Sequence, residues 1–230
     1  MKKNVNKIAS AVAISAVLLS VFAILNVAFL MKIGNDIENL SSKTVSACDE
    51  LQEAKSNLRA QNKKMAFMAH VLDIRQIIDS YGSKTGSFNS MDFAYLLAKE
   101  SFKNDLDPLL VLAVIQTESS FRKNIVSHKG AIGLMQVLPN TAHYVSDMND
   151  HIKLSNAYEE LFVPEKNITI GINYLSYLIK KFDNKKHALI AYNMGPTNLV
   201  RKIKSGHVPD IYYRKIMKNY QYILGKSGRA

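Results

Sequence analysis

An uncharged run of 24 residues, from Ile8 to Met31, constrains this chain more than any other feature. As a helix it would be about 36 Å long at about 1.5 Å per residue, which is enough to cross a hydrocarbon core of about 30 Å. Lys2, Lys3 and Lys7 precede it, and basic flanks favour the cytoplasmic side. We therefore expect a cytoplasmic N-terminus (1–7) and a single-pass transmembrane anchor (8–31) in the inner (cytoplasmic) membrane. The remaining chain would lie in the periplasm or on the cell-wall side.

A cleaved signal peptide is the main alternative for this run. Such a peptide has an apolar stretch of about 7–15 residues that ends in a small-x-small cleavage site. The run is longer, and its end from Val27 to Lys32 does not have that pattern. An uncleaved anchor is therefore favoured over a cleaved signal, and a buried core helix is the third interpretation.

A heptad pattern follows the apolar run and predicts a helical stalk over residues 32–80. Spacings of four and three residues alternate, as in the a/d seam of a coiled coil. The seam is Ile33, Ile37, Leu40, Thr44, Ala47, Leu51, Ala54, Leu58, Gln61, Met65, Met68, Leu72 and Arg75. Two interpretations remain open: a coiled-coil spacer that forms a homodimer, or a single amphipathic helix partly packed on the following domain. Cys48, the only cysteine, lies beside the seam and is either a cross-link to a second chain or a free thiol.

Residues 81–230 are expected to form one all-α domain, because no alternating strand pattern appears in them. Turn-forming residues from Tyr81 to Ser87 mark its start. Asp107 and Pro108 are typical of a helix N-cap and first position, and the apolar run Leu109–Ile115 indicates a buried helix. Further helices are expected at 92–102, 141–148, 167–181, 186–192, 197–203 and 212–224.

Glu118 comes at the end of the buried helix. It follows Ile115, Val114 and Val111 by three, four and seven residues, so it shares a helical face with apolar side chains. A carboxyl group placed there loses hydration, and its pKa rises. It could then stay protonated near neutral pH and act as a general acid. The alternative is an exposed glutamate at a frayed helix end.

Several strings around Glu118 occur together in a fixed order. Glu118-Ser119 is followed by Ser127, by Gly133-Leu134-Met135-Gln136, by Asn167-Ile168 with Gly171, and by Ala191-Tyr192-Asn193-Met194-Gly195. This order and spacing resemble the soluble-lytic-transglycosylase (SLT) domain, the lysozyme-like fold of the peptidoglycan lytic transglycosylases. The resemblance covers about Ser90 to Tyr222.

The resemblance implies an enzyme, a lyase acting on polysaccharides, that needs no metal or other cofactor. It would cleave the MurNAc–GlcNAc β-1,4 bond of peptidoglycan glycan strands and form 1,6-anhydroMurNAc. Glu118 would be the single general acid and base. By the same match Ser119 would support Glu118, Ser127 and Gln136 would face the glycan cleft, and Tyr192 and Asn193 would form its other wall. The alternatives are a helix or turn cap for Ser127 and a core tyrosine with a satisfied hydroxyl for Tyr192.

One family motif is missing, and two other functions remain open. The Glu-Thr-Arg triplet that precedes a Tyr-Val-x-Lys-Val segment in some members is absent before Tyr212–Ile216, so Arg214 receives no role. A hydrolytic muramidase of the goose-lysozyme type would need a second acid, for which Asp147 and Asp150 are the candidates. A non-catalytic wall-binding subunit of an envelope-spanning machine for secretion, conjugation or phage entry would need no acid.

The charge of +11 is concentrated in the exported part, where residues 81–230 hold 20 basic and 12 acidic side chains. A basic surface attracts polyanions. Because no nucleic-acid-binding motif accompanies it and the anchor exports the domain, the anionic cell wall is the expected neighbour and nucleic acid is not. A merely solvated basic surface is the alternative. The histidines are scattered without metal-ligand spacing, which predicts no metal site.

Overall fold

The computed structural model describes residues 2–81 and 89–227, with side chains from residue 14 onward. The chain divides into two units, Met1–Lys63 and Lys64–Ala230. The predicted turn-rich boundary lies, apart from Tyr81, outside the described residues. The second unit begins at Lys64, upstream of the domain start expected at residue 81.

Helix α1 covers Lys2–Asp79, and its part in the first unit includes the long apolar segment. It contains an 18-residue window with a mean hydropathy of 2.5, and none of that window is buried. Large apolar side chains such as Leu19, Phe22 and Ile24 are exposed by 66–69%. The length and composition of this helix fit a membrane span, as the sequence predicted.

The predicted heptad seam of the first unit also lies on the surface of α1. Leu40, Leu51 and Leu58 are exposed by 64%, 70% and 57%, and Cys48 is an exposed free thiol. An isolated helix gains little from exposed leucines, since most helical stability comes from burying an apolar face. The seam is therefore an uncovered apolar stripe.

The second unit consists of the end of α1 and a series of shorter helices. These are α2 (Ser90–Lys103), α3 (Pro108–Glu118), α4 (Pro139–Asp147), α5 (Ala157–Glu160), α6 (Pro164–Phe182), α7 (Lys185–Met194), α8 (Pro196–Lys204) and α9 (Ile211–Ser227). The described residues contain no β-strand, only isolated bridges between residues 126, 132 and 137. The all-α prediction is confirmed, and the short helix α5 is the element it missed.

Helix α3 is the centre of the core. The Asp107 side chain caps it by accepting from the Leu109 N–H at 2.9 Å, and Pro108 occupies its first turn. All its residues from Pro108 to Ile115 are buried, and α2 and α9 pack against it. The fold thus holds the helix that carries Glu118 by contacts on all sides.

The last turns of α1 belong to the same core. Val71, Ile74, Ile77 and Ile78 are at most 1% exposed, and the Phe67 ring contacts an α2 ring at a centroid distance of 5.4 Å. Part of the segment 64–79 is therefore buried in the second unit. The seam residues there lie on another face, since Met65 and Leu72 are exposed by 69% and 50%.

Candidate active site

Glu118 is the last residue of α3, where the buried helix reaches the domain surface. Burial raises the pKa of its carboxyl group above the ordinary value. A hydrogen bond from Tyr212 and the positive charge of Lys215 act in the opposite direction. The site therefore favours the protonated acid while keeping partners for the carboxylate.

Helix α9 supplies those partners from one face. The Tyr212 hydroxyl donates to Oε1 of Glu118, and the Lys215 Nζ donates to the Thr117 carbonyl oxygen at 3.4 Å. One turn further on, the Asn219 Nδ2 donates to the Thr117 hydroxyl at 2.8 Å. Spacings of three and four residues place the three side chains on one helical face. Helix α9 therefore binds the carbonyl and the hydroxyl of Thr117 in the last turn of α3.

Tyr212 remains a donor under ordinary conditions. Burial and the neighbouring Glu118 raise the pKa of its hydroxyl well above the ordinary value. A neutral phenol can donate a proton to the hydrogen bond, and it stabilises the carboxylate more than the acid. Tyr212 is thus suited to steady Glu118 once its proton has left.

A tight loop between residues 125 and 137 lies after α3. Ser127 closes a turn, because its hydroxyl accepts from the Ala131 N–H at 3.0 Å and its N–H donates to the Ala131 carbonyl oxygen at 2.9 Å. Gln136 has a φ of 48°, and its Nε2 donates to the carbonyl oxygens of Ile125 and Gly133 at 3.2 and 2.9 Å. The two predicted cleft residues therefore hold the loop together through their polar groups.

The fully buried side chain of Asn167 fastens this loop to α6. Its Oδ1 accepts from the Met135 N–H at 2.8 Å, and its Nδ2 donates to the carbonyl oxygens of Ile132 and Leu161, both at 2.8 Å. Gly133 lies against it with a φ of 78°, and a Cβ there would be 2.3 Å from the Asn167 Nδ2. These contacts explain why the pattern needs glycine and asparagine at these two positions.

Tyr192 joins the loop to α7 beside the acid. Its hydroxyl donates to the Met135 carbonyl oxygen at 2.9 Å, and its ring lies 5.6 Å from the Tyr174 ring. Burial, with the charge of Glu118 second, raises the pKa of Tyr192 well above the ordinary value. Its hydroxyl is therefore a neutral donor near the carboxyl group.

Asn193, the next residue, is exposed and lies on a different part of the site. It lines a cavity of about 270 Å³ together with Ile190, Tyr212 and Lys215. Because Tyr212 and Lys215 also contact the end of α3, this cavity adjoins Glu118. We call it the Tyr212 cavity.

Ser119 is the one predicted site residue that is fully buried. It is 1% exposed, and its hydroxyl donates to the Ile115 carbonyl oxygen at 3.2 Å. As the C-cap residue of α3 it also donates its backbone N–H to the same carbonyl at 3.0 Å, so both groups bind it to the helix that carries Glu118. Any support it gives to Glu118 acts through the backbone.

Sequence reasoning missed the roles of Tyr212, Lys215 and Asn167. The segment 212–216 was noted, but only for Arg214, which the structure places in an exposed ion pair with Asp210 at 3.2 Å. A signal was available, since Tyr212, Lys215 and Asn219 share a helical face. Within the described residues no group of three or more His, Cys, Asp or Glu side chains could hold a metal ion.

The fold and site together define a class: an all-α domain that holds one half-buried glutamic acid between tyrosines at a helix end. The family model "Transglycosylase SLT domain" matches residues 96–213, just over half of the chain. The chain belongs to the transglycosylase SLT domain family, and the resemblance seen in its motifs is confirmed.

Individual relatives agree with the family. The chain is 29% identical over 174 residues to membrane-bound lytic murein transglycosylase C of Histophilus somni, which covers 72% of this chain and 47% of that protein. It is 36% identical over 130 residues to the transglycosylase of Enterobacteria phage PRD1, covering 56% of this chain and 43% of that one. The chain thus spans about half the length of the curated relatives it matches. Among solved structures, lytic transglycosylase Slt of Pseudomonas aeruginosa is 28% identical, with a TM-score of 0.45 over 57% of this chain and 22% of that one.

Proposed function

We propose that this chain is a membrane-anchored lytic transglycosylase that cleaves the MurNAc–GlcNAc β-1,4 bond of peptidoglycan. The observation that carries the proposal is the environment of Glu118. Burial raises the pKa of its carboxyl group, while Tyr212 and Lys215 are placed to stabilise the carboxylate. A group that must first give a proton and then take one back needs both properties. The names of the relatives in the family point to the same substrate class.

The reaction begins with Glu118 as a general acid. It protonates the glycosidic oxygen, the C1–O bond of MurNAc breaks, and the GlcNAc hydroxyl leaves. The N-acetyl group of the same MurNAc stabilises the positive charge that develops at C1. During this step Glu118 becomes a carboxylate, and the Tyr212 hydroxyl donates to it.

In the second step Glu118 acts as a general base. It removes the proton from the C6 hydroxyl of the same MurNAc, and O6 attacks C1. The new C1–O6 bond closes the 1,6-anhydro ring and regenerates the acid. No water is consumed, so the cleavage is a lyase-type reaction.

The surroundings of Glu118 favour this mechanism over hydrolysis. Hydrolytic glycosidases use two carboxyl groups, about 5–5.5 Å apart when retaining and about 6.5–9.5 Å apart when inverting. Among the described residues, the groups that shift the pKa of Glu118 are Tyr212 and Lys215, and none is a carboxylate. Asp147 and Asp150, the candidates for a second acid, are both exposed. The single-acid mechanism is therefore preferred to that of a goose-type muramidase.

The apolar part of α1 supports the proposed placement of the chain. It would anchor the protein in the inner membrane by a single pass, with the domain in the periplasm or on the wall side. The uncovered seam at Leu40, Leu51 and Leu58 supports a parallel homodimer through the stalk. Such a geometry would suit a component of an envelope-spanning machine. Oxidative cross-linking at Cys48 in membranes, with Cys48→Ser as control, tests the proximity of two copies.

Product analysis tests the proposed reaction. The full-length chain in detergent is incubated with purified sacculi, and the released muropeptides are identified by mass spectrometry. We expect 1,6-anhydroMurNAc ends from the wild type and from Asp147→Asn and Asp150→Asn, and a loss of about 10²–10⁴-fold in Glu118→Gln. Reducing-end MurNAc would establish the hydrolase instead. Undiminished release by Glu118→Gln would show that Glu118 is not the acid, and a protein that binds sacculi without releasing products would be the wall-binding subunit.

A further inference from the structure

A second cavity, of about 300 Å³, lies on the α4–α6 side of Tyr174. We call it the distal cavity; its lining includes Asn140, Thr141, Tyr144, Tyr174, Tyr177 and Lys181. The site described above uses none of the side chains of Tyr144, Tyr177 or Lys181. They therefore need an explanation of their own.

The tyrosine rings form a continuous row. The Tyr174 and Tyr177 rings lie 6.2 Å apart and nearly parallel, at 21°, and the Tyr144 ring meets Tyr177 at 5.4 Å and 67°. Tyr144 is 42% exposed. Because the Tyr174 ring also contacts the Tyr192 ring at 5.6 Å, the row leads from the neighbourhood of Glu118 outward. A glycan strand that extends from Glu118 along this row would contact the tyrosine rings.

Lys181 adds a positive charge at the end of the row. Its Nζ donates to the Tyr177 hydroxyl at 2.9 Å and lies 5.3 Å from the centre of that ring. Among the described residues that line the cavity, only Lys181 carries a formal charge. One hydrogen bond uses one of the three protons of the ammonium group, and the others remain for a ligand.

Resting on the proposed function, we propose that the distal cavity is a glycan subsite, in which Tyr144 and Tyr177 take a sugar ring and Lys181 binds a carboxylate of the same strand. The apolar C–H face of a pyranose fits an aromatic ring, and tyrosines provide such area at little entropic cost. The carboxylate belongs to MurNAc, either on its free lactyl ether or on the peptide stem attached there. Lys181 thereby distinguishes a MurNAc-containing strand from an uncharged GlcNAc polymer.

Binding measurements on full-length Glu118→Gln in detergent test the subsite without cleavage. Isothermal titration uses three probes: GlcNAc oligomers, glycan strands without peptides, and strands with stem peptides. Adding Lys181→Gln should weaken binding of at least one carboxylate-bearing probe about fivefold and leave GlcNAc oligomers unchanged. Adding Tyr144→Ala should weaken all three probes, by up to about tenfold.

Two matched variants separate charge from packing. Lys180→Gln removes an adjacent exposed lysine that does not line the cavity, and it should leave every affinity unchanged. Tyr177→Phe retains the ring but removes the hydroxyl that receives the Lys181 hydrogen bond, so GlcNAc oligomers should still bind normally. If Lys181→Gln weakens the binding of peptide-free strands alone, Lys181 binds the lactyl carboxylate. If it weakens the binding of peptide-bearing strands alone, Lys181 binds a carboxylate of the stem.

The subsite is overturned if Lys181→Gln changes no affinity, or weakens GlcNAc oligomers as much as the carboxylate-bearing strands. It is also overturned if Lys180→Gln has the same effect. Failure of the proposed function gives a different result from failure of the subsite. The wild type would then release no anhydro product, whatever the affinities of the variants for the three probes. Normal anhydro products combined with unaltered binding in Lys181→Gln and Tyr144→Ala would remove the subsite alone.

Discussion

The hydroxyl of Tyr212 donates a hydrogen bond to Oε1 of Glu118 across 94 positions of sequence. The same helix face places Lys215 and Asn219 on the Thr117 carbonyl and hydroxyl oxygens. Helix α9 therefore contributes to positioning the Glu118 side chain and the end of the helix that carries it. The protonation of the acid depends on how these contacts balance burial.

Replacing Tyr212 with phenylalanine should move the pH dependence of activity. Burial raises the pKa of Glu118, and the Tyr212 hydrogen bond lowers it, so removing the bond raises that pKa further. The protonated acid would then persist to higher pH. We expect the alkaline limb of the kcat/KM profile on sacculi to shift upward and the maximal rate to fall about tenfold or more. Tyr213→Phe is the control. If the alkaline limb of the pH profile does not shift in Tyr212→Phe, the hydrogen bond does not set the pKa that governs activity.

Glu118→Gln should stabilise the domain at neutral and alkaline pH. A carboxyl group whose pKa is raised by folding costs stability once it ionises. The cost is absent below the unfolded-state pKa of about 4.3, appears as the pH rises above it, and is complete above the raised pKa. The melting temperature of Glu118→Gln should therefore match the wild type near pH 4 and exceed it at pH 8. A gap that is largest at pH 4 would contradict the direction of the pKa shift.

Asn167→Ala should destabilise the fold strongly. The side chain makes three hydrogen bonds to backbone groups of Ile132, Met135 and Leu161, and it is fully buried. Removing it leaves buried donors and acceptors unpaired, which we expect to cost roughly 3–5 kcal/mol of unfolding free energy. Asn173→Ala is the matched control on the same helix, since Asn173 makes one local bond to the Thr169 carbonyl at 2.8 Å. Equal losses in urea unfolding would refute the special role of Asn167.

Gly171→Ala should destabilise, whereas the same change at Gly225 should not. A Cβ at Gly171 would lie 2.5 Å from the Met135 Sδ and 2.8 Å from its Cβ, so α6 could not approach the loop as closely. We expect a loss of about 1–3 kcal/mol by overpacking. At Gly225 nothing lies within 4 Å of the added atom, and alanine favours the helix by up to about 1 kcal/mol. Thermal unfolding of both variants measures the difference; a neutral Gly171→Ala would show that Met135 moves aside without cost.

The fold was predictable where the pattern is local. The Asp107–Pro108 cap and the apolar run after it identify α3, since capping chemistry and burial act within a few residues. The short helix α5 was missed because four residues carry too little periodicity to be recognised. The last turns of α1 were assigned to the stalk, and sequence alone left both faces of that helix open. Only the tertiary structure shows that Val71 and Ile74 are covered while Met65 is not.

The candidate site was predictable around Glu118 and less so at its partners. The apolar helical face made Glu118 one candidate for the acid, and the family motifs pointed to Glu118, Tyr192 and Asn193. Tyr212 was missed because the helical face it shares with Lys215 and Asn219 does not show which distant segment that face contacts. Ser127 and Gln136 were expected to face the glycan, and the structure shows bonds by which they hold the loop itself. Motif residues can shape the walls of a site through the backbone they organise.

The attachment of α9 to the end of α3 also fixes an order of events during synthesis. Glu118 leaves the ribosome well before Tyr212 and Lys215, because translation proceeds from the N-terminus. Until α9 emerges and docks, the acid lacks the donors that hold it. If the domain is exported as we propose, its proposed active site is complete only after most of the chain has crossed the membrane.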